Sequence, residues 1–140
     1  MVESGQMAIQ IVRKGITKLE VDAIVNAANS QLQAGGGVCG AIFEEAGYKE
    51  LTDACRKIGH CEIGSAVITP GFSLKAKYII HAVGPIWNGG NAGEGKLLYG
   101  SYFSALELAK ANEKVKQYTD GMTIIKEIYV PDKIVNFVVK

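Results

Sequence analysis

The stretch Val21-Asp22-Ala23-Ile24-Val25-Asn26-Ala27-Ala28-Asn29, continued after a short polar segment by Gly35-Gly36-Gly37-Val38-Cys39-Gly40-Ala41-Ile42, decides the fold. Val21 to Asn26 is a near-continuous apolar run that enters a polar loop. A run of that kind suits a strand covered on both faces, as strands of parallel sheets are. The three glycines lead into a helical pattern from Val38 to Ala46, stopped by Gly47. A second helix follows over Lys49 to Lys57.

Outward from this unit, Ile9 to Val12, Ser65 to Thr69 and Tyr78 to Val83 read as strands, the last closed by Gly84-Pro85. Leu97 to Asn112 carries Leu98, Tyr102, Ala105, Leu106 and Ala109 at helical spacing. Beyond it, Met122 to Val130 and Ile134 to Val139 read as a hairpin turned at Pro131-Asp132-Lys133. Strands alternating with helices predict an α/β fold with a mainly parallel sheet in a single domain over residues 1–140. Ligands of such sheets bind where loops leave the carboxyl ends of strands. Two loops qualify here, Asn26 to Gly37 and Gly84 to Gly95.

Composition narrows the function. Lys and Arg number 15 against 14 Asp and Glu, a net charge of +1. That balance predicts no nucleic-acid partner and no anionic membrane surface. No apolar run reaches the ~18 residues of a membrane span, and the amino-terminal residues lack the pattern of a signal peptide. Cys39, Cys55 and Cys61 make an odd set at irregular spacing, which does not form a disulfide framework. An intracellular, cytoplasmic setting is the simplest expectation.

The chemistry gathers in the first loop. Asn26 and Asn29 offer donors and acceptors that suit sugar hydroxyls, and the small Ala27 and Ala28 leave room between them. The glycines let backbone N–H groups approach a ligand closely, and the helix that starts directly after them aims its dipole at the same place. A phosphate or diphosphate beside a ribose fits this combination. A tight strand-to-helix turn, with glycine and asparagine serving geometry alone, explains part of the same pattern.

The blocks quoted above resemble the macrodomain signature. So do Gly64-Ser65-Ala66-Val67-Ile68-Thr69-Pro70-Gly71 and Leu74-Lys75-Ala76-Lys77-Tyr78-Ile79-Ile80-His81-Ala82-Val83-Gly84-Pro85-Ile86-Trp87, in order along residues 9–112. The resemblance implies a three-layer α/β/α fold with a mixed, mainly parallel central sheet, shortened in the carboxyl-terminal third. It implies binding of ADP-ribose or an ADP-ribosylated protein, with no cofactor and no metal. By the same resemblance, Asn26, Ala27 and Asn29 line the distal ribose. Gly35, Gly36, Gly37, Val38, Cys39 and Gly40 surround the diphosphate, and the Ile16 amide meets the base. Some members hydrolyse ADP-ribose from carboxylates (de-ADP-ribosylation) or act on O-acetyl-ADP-ribose. In these, Asn29 corresponds to a residue that orients substrate. Three readings therefore stand: a binding module, a hydrolase with Asn29 catalytic, and a scaffold that has lost its ligand.

Three departures from the family pattern bear on that choice. Gly15, in Lys14-Gly15-Ile16-Thr17, replaces the Asp that accepts a hydrogen bond from the adenine amino group. Cys39 replaces an Asp found in hydrolytic members and reads as a small, semi-buried helix residue. The Ser-Thr-Gly loop expected after the Leu97–Asn112 helix does not occur. Elsewhere, Gly90-Asn91-Ala92-Gly93-Glu94-Gly95-Lys96 imitates a P-loop, but Leu97 stands where Ser or Thr must bind Mg²⁺. That loop reads as a flexible rim with Lys96 solvated. His81 reads as a core histidine, and His60-Cys61 as part of an exposed turn.

Overall fold

A computed structural model of the chain describes residues 10–111. After a 3₁₀ turn at Ile16–Lys18 come β1 (Ala23–Ala27), α1 (Gly37–Ile58), β2 (Ala66–Pro70), β3 (Tyr78–Ala82) and α2 (Glu94–Ala111). The sheet order is β1-β3-β2. β1 lies parallel to β3, from Ala23 opposite Tyr78 to Ala27 opposite Ala82. β2 runs antiparallel to β3, so the sheet is mixed, as expected.

The apolar run of β1 is buried because helices cover both faces of the sheet. Ile24 and Ile79 point to one side, into a cluster with Ile42, Phe43, Leu51 and Cys55 of α1. Ala23, Val25 and Ile80 point to the other, against Ala105 and Ala109 of α2. This is the expected three-layer α/β/α arrangement. Each fully buried Ile or Phe contributes roughly 1.5–3 kcal/mol. On α2 the buried residues Ser101, Ala105 and Ala109 recur every four positions. Their small side chains bring the helix axis close to the sheet, and larger apolar groups such as Tyr99 and Phe103 stay exposed.

The expected break at Gly47 is present, with φ 109° and ψ 100° inside the run from Gly37 to Ile58. The two helices read on either side of it are thus the two segments of α1, joined at a kink that only glycine adopts readily. α2 begins at Glu94, three positions before the expected Leu97. No strand forms over the described part of Ile9–Val12. Residues 10–12 are irregular, with the Ile11 side chain 85% exposed. β-branched residues favour strands through packing and pairing, and these gain neither. Ile9, Asn112 and the tail segments 122–130 and 134–139 with their turn lie outside the described residues. Among the described residues, no helix is long and apolar enough to cross a membrane.

Candidate functional site: the glycine loop before α1

β1 ends by handing its chain to a loop anchored at several points. Ala28 N donates to Ala82 O at 3.0 Å, extending the β1–β3 ladder by one bond. Leu32 N donates to Asn29 O at 2.9 Å, and Cys61 N donates to Ser30 O at 2.9 Å. Leu32 turns the loop with φ 55° while its side chain remains buried. Asn29 is exposed, and its carboxamide closes the loop on itself. Its Oδ1 accepts from Gln33 N at 3.0 Å, and its Nδ2 donates to Gln33 O at 2.8 Å. An amide carries two N–H groups and two lone pairs, so half of its capacity still faces outward.

Gly35, Gly36 and Gly37 are exposed at the amino end of α1. Gly36 caps the helix without a side-chain hydrogen bond, and a Cβ added at Gly36 or Gly37 meets nothing within 4 Å. The first intrahelical bond is Gly40 N to Gly36 O at 3.4 Å, so the amides of Gly37, Val38 and Cys39 precede it. Such first-turn amides, with the positive end of the helix dipole, form an anion-binding site. Gly37 has φ 61°, which favours glycine. Gly40 is required for a different reason: a Cβ there would lie 2.5 Å from Gly35 O.

Beneath the glycines runs a buried polar row. Asn26 of β1 and His81 of β3 are register partners, and both are fully buried. Asn26 Nδ2 lies 3.1 Å from His81 Nδ1 and 3.6 Å from Cys39 Sγ. His81 Nε2 lies 2.9 Å from Thr69 Oγ1 on β2. With the amide donating to Nδ1, the imidazole is neutral and carries its hydrogen on Nε2. Burial lowers its pKa from 6.5 to about 4, which agrees with a neutral ring. Asn26 Oδ1 is buried with no partner among the described residues. An orphan acceptor of this kind costs about 1–3 kcal/mol.

Most of the expected site residues therefore come together. Asn26, Asn29, Gly35 and Cys39 are in contact through the loop, Gly36 to Gly40 form the helix start, and Ala27 is exposed at the strand end. Ile16, on its 3₁₀ turn, packs its side chain into the same apolar cluster as Cys39 and Ile42. Gly15 is exposed and extended at φ −62°, ψ 132°. Thr69 and Gln33 were not anticipated, since a threonine in a strand and a glutamine in a loop carry no local signal.

Three expectations need correcting. Cys39 is buried rather than semi-buried, because it faces the Asn26 amide. Cys61 is buried rather than exposed, because its amide is tied to Ser30. Burial raises the thiol pKa of Cys61 and pushes that of Cys55 up to about 11. The P-loop-like segment is held by its own side chain rather than forming a free rim. Glu94 Oε2 accepts from Asn88 N at 2.9 Å and Gly90 N at 2.7 Å, and Oε1 accepts from Ala92 N at 2.6 Å. These bonds, that from Asn88 foremost, hold the carboxyl below its usual range. A protein carboxylate thus occupies the amides a phosphate would seek. Lys96 is exposed, as expected. Among the described residues, no three His, Cys, Asp or Glu side chains cluster to hold a metal.

Known proteins resemble this chain in sequence and in fold. A family model described as Macro domain matches residues 25–119. A macro domain-containing protein of Mesorhizobium japonicum is 55% identical over 105 residues, covering 75% of this chain and 59% of that protein. An O-acetyl-ADP-ribose deacetylase of Salmonella gallinarum is 53% identical over 108 residues, covering 74% of this chain and 60% of the enzyme. The Oceanobacillus iheyensis macrodomain solved with ADP superposes with a TM-score of 0.65 at 43% identity, over 74% of this chain and 56% of that one. The chain spans about six-tenths of the length of the curated relatives it matches. Its strand–glycine loop–helix unit, its layered fold and the identity it shares with these proteins lead to one conclusion: the chain belongs to the Macro domain family.

Proposed function

We propose that this chain is a binding module for ADP-ribose or an ADP-ribosylated protein, held at the loop from Asn26 to Gly40. The observation that carries the reading is the amino end of α1. The amides of Gly37, Val38 and Cys39 precede the first helical bond, and the glycines beside them are exposed with open space around them. A diphosphate fits there on electrostatic and steric grounds. Asn29, with half of its amide capacity facing outward, stands one loop closure away for ribose hydroxyls. The relative solved with ADP supports the nucleotide class. Buried thiols on all three cysteines suit a reducing, intracellular compartment. The near-neutral charge gives no footprint for nucleic acid or membrane.

Isothermal titration with ADP-ribose, using AMP and ribose-5-phosphate as controls, tests the reading. Saturable micromolar binding selective for ADP-ribose is expected. No heat from a sample shown to be folded by circular dichroism overturns it, and the ligand-free scaffold then stands in its place.

A second reading, hydrolysis of ADP-ribose esters, is favoured by the 53% identity to an O-acetyl-ADP-ribose deacetylase. Asn29 would orient the ribose, and Asn29→Ala would abolish release of ADP-ribose from a glutamate-linked substrate. Against it stands Cys39: a buried thiol is a poor replacement for a carboxylate base. Cys39→Asp raises turnover if the base alone is missing.

A further inference from the structure

The hydrogen bonds around Cys39 form one continuous chain from β2 across the sheet to the loop surface. Thr69 Oγ1 meets His81 Nε2 at 2.9 Å. His81 Nδ1 meets Asn26 Nδ2 at 3.1 Å. Asn26 Nδ2 reaches Cys39 Sγ at 3.6 Å. Cys39 Sγ reaches Gln33 O at 3.8 Å. Gln33 O also accepts from Asn29 Nδ2 at 2.8 Å. The Asn26–His81–Thr69 row crosses three strands, and a single sulfur atom on the first turn of α1 joins it to the loop, accepting on one side and donating on the other. Thiol hydrogen bonds are weak in water. Here the sulfur is buried and its inner partner fully so, and low local dielectric strengthens bonds in such a row.

We infer that Cys39 is a positioning residue: its thiol couples the buried Asn26–His81–Thr69 row to the Asn29–Gln33 closure and so fixes the Asn29 carboxamide for the terminal ribose of the ligand. The inference rests on the binding reading above and deepens it. The carboxamide is exposed, and its orientation is set by Gln33 alone among the hydrogen bonds described for it. Gln33 O is in turn the group that the thiol holds from beneath. The Cys39 side chain touches no ligand in this scheme, and its backbone amide, the part that faces the diphosphate, is kept in every variant at this position. It acts on the end of the site that distinguishes ADP-ribose from ADP.

The test compares wild type, Cys39→Ala and Cys39→Ser for affinity toward ADP-ribose and ADP, with two-dimensional NMR of the Asn29 and Gln33 amides. Cys39→Ala is expected to weaken ADP-ribose about three- to tenfold, the range of one hydrogen bond, while ADP is unchanged. Serine, which donates and accepts but fills less volume, restores the ratio. A residue that served packing alone would lower both affinities together and would not be rescued by serine. An unchanged ADP-ribose-to-ADP ratio in Cys39→Ala overturns the inference, as does Cys39→Ser behaving like alanine. If wild type binds neither ligand, the binding reading fails, and the spectra still decide this one. Asn29 and Gln33 resonances displaced by alanine and returned by serine support the coupling, and resonances unmoved in both variants overturn it.

Discussion

Asn26 Nδ2 lies 3.1 Å from His81 Nδ1 across the parallel β1–β3 register, with neither side chain exposed to solvent. A histidine held neutral in this way links stability to pH. Its pKa falls from 6.5 to about 4 on folding, so the unfolded chain binds the extra proton between those values. The contribution is complete above pH 6.5 and is lost as pH falls toward 4. Roughly 2 kcal/mol should disappear between pH 7 and pH 5. Urea unfolding of wild type and His81→Gln at the two pH values checks this: the variant should show a much flatter dependence over that interval.

The adenine end of the site is open to repair. Gly15 is exposed, its backbone is extended, and a Cβ there makes only an ordinary 3.9 Å contact with Lys18. Aspartate fits without strain and can also cap the 3₁₀ turn that starts at Ile16. Gly15→Asp should tighten ADP-ribose about ten- to a hundredfold, the value of a charge-assisted hydrogen bond. Ribose-5-phosphate, which lacks the base, should gain nothing. Calorimetry with both ligands separates a restored base contact from a general improvement.

Glycines 36 and 40 should fail in different ways. A side chain at Gly36 enters open space, and its φ −84°, ψ 178° backbone suits any residue. Gly36→Glu should therefore melt like wild type yet lose at least about tenfold in ADP-ribose affinity, because its carboxylate meets the diphosphate. Gly40→Ala should instead lower the melting temperature, and affinity with it. Its Cβ would lie 2.5 Å from Gly35 O, which forces the loop off α1 at a cost of about 1–3 kcal/mol. Unchanged affinity in Gly36→Glu would remove the glycine loop as the anion site.

Glu94 should govern the loop after β3. Its carboxylate holds the amides of Asn88, Gly90 and Ala92, and Gly90 lies against the Trp87 ring. Glu94→Ala should speed hydrogen exchange at those three amides by at least about tenfold. Trp87 is the only tryptophan of the chain, so fluorescence anisotropy reports the same loosening. Glutamine, which keeps one carbonyl oxygen, should fall between. The clamp should persist in wild type to below the usual carboxylate range, since its pKa is lowered.

The parts of this molecule that can be read from the chain are those set by neighbours in sequence or by cover on both faces. β1 was legible because Ala23 to Val25 have no polar side to show. The break at Gly47 was legible because helical spacing stops and restarts around it. Asn26, Asn29 and the three glycines stood out by type and order. What escaped depends on partners far along the chain. Cys61 looks exposed between polar neighbours until Ser30 O claims its amide. Cys39 looks like a small, semi-buried helix residue until the Asn26 amide lies beside it. The start of α2 was misplaced because Glu94 reads as a loop residue. Its carboxylate caps the three amides before it through bends that leave no periodic trace.

The anchoring of the Asn26–Gly37 loop has a kinetic corollary. Bonds to Ala82 and to Cys61 fasten it to two separate parts of the chain, and the Asn29–Gln33 closure ties it to itself. A receptor whose rim is already in place has little ordering left to do when its ligand arrives. Association should then proceed as a single encounter step, with an observed rate that climbs linearly with ligand concentration and shows no plateau from a slow rearrangement. Residence time, not recognition speed, becomes the quantity that substitutions in this loop alter.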